Sequence, residues 1–100
     1  MAHVHHMVLL KMKAGRAERT RELFAALAGL RGRIAGIVHF SGGPYSSPEG
    51  LNQGYTHGFL MTFADAAARD RYLSHPDHEQ VKQTFLPDVE SVIAFDYEES

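Results

Sequence analysis

Cysteine is absent from all 100 residues, so disulfides, a thiolate nucleophile and Cys-ligated zinc are excluded. Long apolar runs are missing too. The longest near the start, Met7 to Leu10, stops at Lys11. A signal-peptide core needs about 7–15 apolar residues and a membrane helix about 20. The expected location is therefore cytoplasmic, with no membrane partner. There is no excess of one charge, because 10 Lys and Arg face 12 Asp and Glu, a net charge of −2. No broad field draws such a chain to nucleic acid or anionic lipid. Gly-rich phosphate loops, GxSxG elbows and HExxH pairs are also lacking.

What is present is an ordinary globular balance, 44% hydrophobic and 22% charged, which argues against disorder. Residues 1–100 have room for one domain. Seven histidines are the anomaly. Without thiols, chemistry here would run on imidazole, carboxylate and phenol.

Hydrophobic periodicity gives the elements. Residues 3–13 alternate, with Val4, His6, Val8, Leu10 and Met12 on one face and His3, His5, Met7, Leu9 and Lys11 on the other. That period of two predicts a strand with both faces covered. Residues 16–31 change to helical spacing through Thr20, Leu23, Phe24, Leu27 and Leu30, with Gly32 as the stop. Ile34 to Phe40 reads as a second strand. Ser41 to Gly54 reads as a long loop, since it holds six of the thirteen Gly and Pro residues. Tyr55 to Phe63 is a third strand, with Tyr55, His57, Phe59, Met61 and Phe63 on one face. Asp65 caps a helix to about Leu73. Pro76 breaks it, and Asp77 is expected to cap a second helix from His78 to about Phe85. Val89 to Tyr97 is the last strand, with Ile93, Phe95 and Tyr97 opposite Val92, Ala94 and Asp96.

The order β-α-β-β-α-(α)-β predicts an α+β, ferredoxin-like antiparallel four-stranded sheet with helices on one face. The other face keeps its apolar residues. A second copy in a two-fold dimer is the simplest cover.

His6 and His57 interrupt apolar strand faces. Two such imidazoles on one side of a sheet need partners or a polar cavity. In His75-Pro76-Asp77-His78, His78 falls in the first turn of a helix, whose positive end favours the neutral ring that a general base requires. Asp96 is the expected orienting carboxylate for His78. Tyr72, one turn before His75, is the expected donor to a developing oxyanion. His75 and His78 have ligand-like spacing, but the broken helix between them argues against a metal site. His3 and His5 read as surface or interface residues, and His39 has no assigned role.

Three blocks, Gly54-Tyr55-Thr56-His57-Gly58-Phe59, Tyr72-Leu73-Ser74-His75-Pro76-Asp77-His78 and Phe95-Asp96-Tyr97, occur together with His6-Met7-Val8-Leu9-Leu10-Lys11. With them the chain resembles the stress-responsive α/β-barrel (Dabb) family over nearly its whole length. The resemblance implies a ferredoxin-like protomer, paired sheet to sheet into a dimeric α/β barrel. It also implies a small-molecule cleft between sheet and helices. A plant polyketide cyclase of the family closes its substrate by aldol condensation without metal or organic cofactor. Its catalytic tyrosine, histidine and carboxylate match Tyr72, His78 and Asp96, and its pocket histidines match His6 and His57. Leu23, Phe24, Leu27, Phe59 and His75 complete the expected pocket for a small apolar carbonyl compound. Lyases, isomerases and cofactor-independent monooxygenases share the fold. Other members are described only as stress-induced, very stable proteins, so a non-enzymatic dimer is the alternative.

Overall fold

A computed structural model describes residues 2–100. It contains β1 (Val4–Met12), α1 (Arg19–Gly29), β2 (Ile37–Pro44), β3 (His57–Phe63), α2 (Ala66–Ser74), α3 (Pro76–Phe85) and β4 (Val89–Glu98). Short 3-10 turns follow α1 at Leu30–Gly32 and α3 at Leu86–Asp88. The strands form one antiparallel sheet in the order β2-β3-β1-β4, which is the ferredoxin-like arrangement.

The alternation in β1 sorts the two faces as the sequence predicts. Val4, His6, Val8, Leu10 and Met12 are buried, whereas Met7 and Leu9 are 42% and 41% exposed. The buried set packs with Leu23, Leu27 and Leu30 of the α1 segment, Met61 and Phe63 of β3, and Ala68, Tyr72, Val81 and Phe85 of α2 and α3. The helices therefore cover one face. On the other, Ile93, Phe95 and Tyr97 of β4 lie open beside Leu9, Met7 and His5, their partners in register.

Several boundaries differ from the sequence reading, among them that of β3, which begins at His57 rather than Tyr55. Helix α1 begins at Arg19 rather than 16. Residues before it form tight turns, in which Arg16 and Ala17 carbonyls accept from the amides of Arg19 and Thr20. Strand β2 begins at Ile37, because Ile34 closes the turn after α1 through its amide to Leu30 O at 2.8 Å. The strand then runs on to Pro44 through residues that composition marks as loop. Ser41, Gly42, Gly43 and Pro44 pair with Leu60, Phe59, Gly58 and His57. The reason is tertiary. A Cβ on Gly42 would lie 2.8 Å from the Phe24 ring, so only glycine lets α1 lie this close to the strand. Pro44 is tolerated because β2 is an edge strand. The loop proper runs from Tyr45 to Thr56, closed by Tyr45 N to Thr56 O at 2.8 Å.

Gly36 has φ +97°, and a Cβ there would stand 2.5 Å from Ala68 Cβ on α2. Gly36→Ala combines a left-handed backbone penalty with overpacking. It should cost about 2–4 kcal/mol. A lower urea midpoint at unchanged slope is the expected reading.

Candidate functional site

Helix α2 starts where Asp65 Oδ1 accepts the Ala68 amide at 2.8 Å, as its sequence predicts. Its successor does not start as predicted. The cap of α3 is His75, whose Nδ1 accepts the Asp77 amide at 3.1 Å, and Pro76 is the first helical residue. Asp77 lies inside the first turn, where its charge suits the helix dipole but no longer caps. The corner puts Tyr72 and His78 ring against ring, centroids 4.0 Å apart and stacked.

The stacked pair borders a cavity of about 320 Å³ between sheet and helices. Its floor is His6, Val8 and Leu10 of β1, Phe59 of β3, and Val92 and Ala94 of β4. Its roof is Leu23 and Leu27 of α1, Tyr72 and Leu73 of α2, and Val81, Lys82 and Phe85 of α3. The size is at the small end of the range for ligand sites, and an apolar lining with few polar groups is usual for them.

Three polar atoms border this space. Asp96 Oδ1 accepts from His6 Nδ1 at 2.5 Å, so His6 carries a proton on Nδ1, and in the neutral form of the ring Nε2 holds the lone pair. His78 Nδ1 donates to the Leu73 carbonyl at a long 3.4 Å, which likewise leaves Nε2 as an acceptor. Neither Nε2 atom, nor Tyr72 Oη, has a hydrogen-bond partner among the described residues. Yet no buried side-chain nitrogen or oxygen there is unpaired. Each of the three atoms therefore keeps some accessible surface, and the rings that carry them line the cavity. The apolar chamber thus offers one donor and two acceptors.

Burial shapes the electrostatics. Desolvation lowers the His78 pKa below its usual 6.5, with the charge of Lys82 adding to the effect and the Leu73 carbonyl and Glu79 opposing it. His78 is therefore neutral at pH 7. Desolvation also pushes the Tyr72 hydroxyl up, so it keeps its proton. For Asp96 burial works upward, but the bonds from His6 and Arg69 outweigh it and hold the carboxylate below its ordinary range.

The expected pairing of Asp96 with His78 is corrected here. Asp96 lies directly across the β1–β4 ladder from His6, and its oxygens are engaged by His6 and by Arg69 Nη1 at 2.9 Å. The expected grouping of His6 with His57 is corrected too. They share a sheet face, but His57 pairs with Leu10 and His6 with Met61. That separates them by four residues, roughly 13 Å. His57 Nδ1 bonds Thr56 Oγ1 at 2.9 Å, and the ring stands edge-on to Phe24. His57 and Phe24 line a neighbouring groove with Thr20, Arg21 and Gly42 to Pro44. His75 is occupied as the α3 cap and does not line the cavity. His5 lies toward the open face, bonded to Thr62 Oγ1 and Glu99 and 5.0 Å from the Tyr97 ring. Arg69 and Lys82 were not foreseen. A charged residue on a helix carries no sequence signal for the partner it meets across the fold.

Among the described residues, no group of three or more His, Asp or Glu side chains is arranged to hold a metal ion. Among the same residues, no helix is long and apolar enough to cross a membrane.

The family model described as the stress responsive A/B barrel domain matches residues 4–99. The stress-response A/B barrel domain-containing protein HS1 of Arabidopsis thaliana is 36% identical over 95 residues, covering 94% of this chain and 87% of the relative. A solved structure from Jannaschia, described as a dimeric ferredoxin-like protein of unknown function, superposes with a TM-score of 0.87 at 30% identity. That match covers 97% of this chain and 99% of the other. The hydroxynitrile lyase of Passiflora edulis superposes with a TM-score of 0.88 over 98% of this chain and 94% of its own. Its 20% identity makes this a likeness of fold.

Proposed function

The chain belongs to the stress-responsive A/B barrel family, and from that premise we propose that it works as a homodimer with an acid–base site in each subunit. The substrate class is a small, largely apolar carbonyl compound. The observation that carries this reading is the trio of polar atoms, His6 Nε2, His78 Nε2 and Tyr72 Oη, bordering an apolar cavity. A merely structural network would fill that space with side chains.

The reaction is proton abstraction next to the carbonyl. His78 Nε2 takes the proton from the α-carbon, and its neutral ring at pH 7 is ready to do so. The electron pair of the broken C–H bond forms the new C=C bond, and the π pair of the carbonyl moves onto its oxygen. Tyr72 Oη donates to that oxyanion. His6 Nε2 accepts a hydrogen bond from the substrate, and Leu23, Leu27 and Phe59 hold its apolar part. The resulting enolate can cyclise, isomerise or undergo cleavage, or be oxygenated where dioxygen is the co-substrate. The base and the donor are side chains, so the deprotonation itself needs no metal or organic cofactor. Met7, Leu9, Ile93, Phe95 and Tyr97 form the face that the second copy covers.

Titration of isotope-labelled protein with a small aryl methyl ketone tests the site. Methyl signals of Leu23, Leu27 and Val81 should shift, and Leu27→Trp, which fills the chamber, should abolish the shifts. Binding that leaves those signals unmoved, or no binding, contradicts the reading.

A further inference from the structure

We propose that Arg69 is a positioning residue that locks the tautomer of His6 from outside the cavity. The inference rests on the acid–base reading of that cavity, but its test does not need a substrate.

Arg69 does not line the chamber. It reaches Asp96 from α2, Nη1 to Oδ2 at 2.9 Å, while its Nε donates to Asp70 Oδ1 at 2.8 Å. The two bonds use different edges of one planar guanidinium, so its orientation is fixed. Asp96 therefore has one oxygen held by Arg69 and the other on His6 Nδ1 at 2.5 Å. A carboxylate on an edge strand, with 23% of its side chain exposed, would otherwise turn about a broad torsion toward water. Held in place, Asp96 can only accept, so His6 must carry its proton on Nδ1. Nε2 is then a standing acceptor beside Tyr72, whose ring centroid lies 6.0 Å from that of His6. Without the lock the two ring nitrogens could exchange roles, and the cavity would present a donor where it now presents an acceptor.

A purely structural Arg69 would tie α2 to β4 and leave the imidazole unaffected. Nitrogen-15 spectra of the His6 ring separate the two cases. They are recorded on the basic plateau of the ring signals, where the shifts no longer change with pH. Wild-type protein should show the Nδ1–H form alone. R69M should lose that signature and give a mixture of tautomers, and R69K, which keeps a donor for Asp96, should restore it. A folded R69M protein with an unchanged His6 spectrum would overturn the proposal. So would an Nε2–H ring in the wild type, which decides the matter even if R69M does not fold. If ketone binding fails while the tautomer result holds, the acid–base reading falls and the lock stands as a structural fact.

Discussion

A Phe95→Asp chain is expected to sediment as a monomer at concentrations where the wild type sediments as a dimer. Phe95 is 64% exposed on the open face, opposite Met7 in register, so the protomer loses no core contact when it is replaced. The dimer loses much more. Around Phe95, Met7, Leu9, Ile93 and Tyr97 are each between 41% and 47% exposed, a contiguous apolar surface on one sheet face. In a two-fold contact every substitution occurs twice. Two unpaired carboxylates forced into an apolar contact cost roughly 4 kcal/mol or more, about a 10³-fold weaker association. Analytical ultracentrifugation reads this directly. A wild-type monomer, or a dimer indifferent to the substitution, would remove the open face from the account.

Tyr72→Phe should separate stability from activity. Tyr72 is 1% exposed, stacks on His78 and lies 5.1 Å from the Phe63 ring, so its ring is part of the core. Its hydroxyl has no hydrogen-bond partner among the described residues, and the residue lines the cavity. Removing the oxygen keeps the packing, and the change in unfolding free energy should stay within about 0.5 kcal/mol. Deprotonation of a bound ketone should slow by about 10²–10³-fold, the effect of losing one oxyanion donor. Equal losses in stability and rate would mark Tyr72 as a core residue only. The pH dependence follows from the same burial. The His78 pKa is lowered, so its base form persists below the ordinary histidine value of 6.5, and the acid limb of the rate should lie below that pH. Linkage has the same sign. Between the unfolded and the lowered folded pKa the unfolded chain binds more protons at this ring, so stability falls as the solution is acidified through that window. Tyr72, with its pKa raised, should contribute no basic limb near neutrality.

Periodicity made the sheet legible. The alternation in β1 divides core from open face correctly, and the same alternation in β4 sets Asp96 opposite Phe95 and Tyr97. Capping was legible at Asp65 but not at His75. An aspartate two residues past a histidine looks like the better cap until Pro76 is read as the first helical residue. Composition misplaced the end of β2, because Gly42-Gly43-Pro44 extends a strand only when Phe24 lies against it. The partner of Asp96 was misread for a related reason. Sequence spacing ties Asp96 to no particular histidine, whereas the β1–β4 register puts His6 directly across the ladder. His57 shares that face but sits too far along its strand to reach the cavity. Arg69 gave no signal at all, since its role depends on a carboxylate 27 residues away.

The central claim is that the cavity removes a proton next to a carbonyl. Isotope exchange in heavy water tests it without knowledge of the natural substrate. A small aryl methyl ketone is incubated with the protein, and loss of its α-proton signal is followed by NMR. Wild-type protein should accelerate the exchange in a saturable manner, with His78→Ala and Tyr72→Phe each slowing it by about 10²-fold or more. Exchange no faster than in buffer, or equal in all three proteins, would contradict the account.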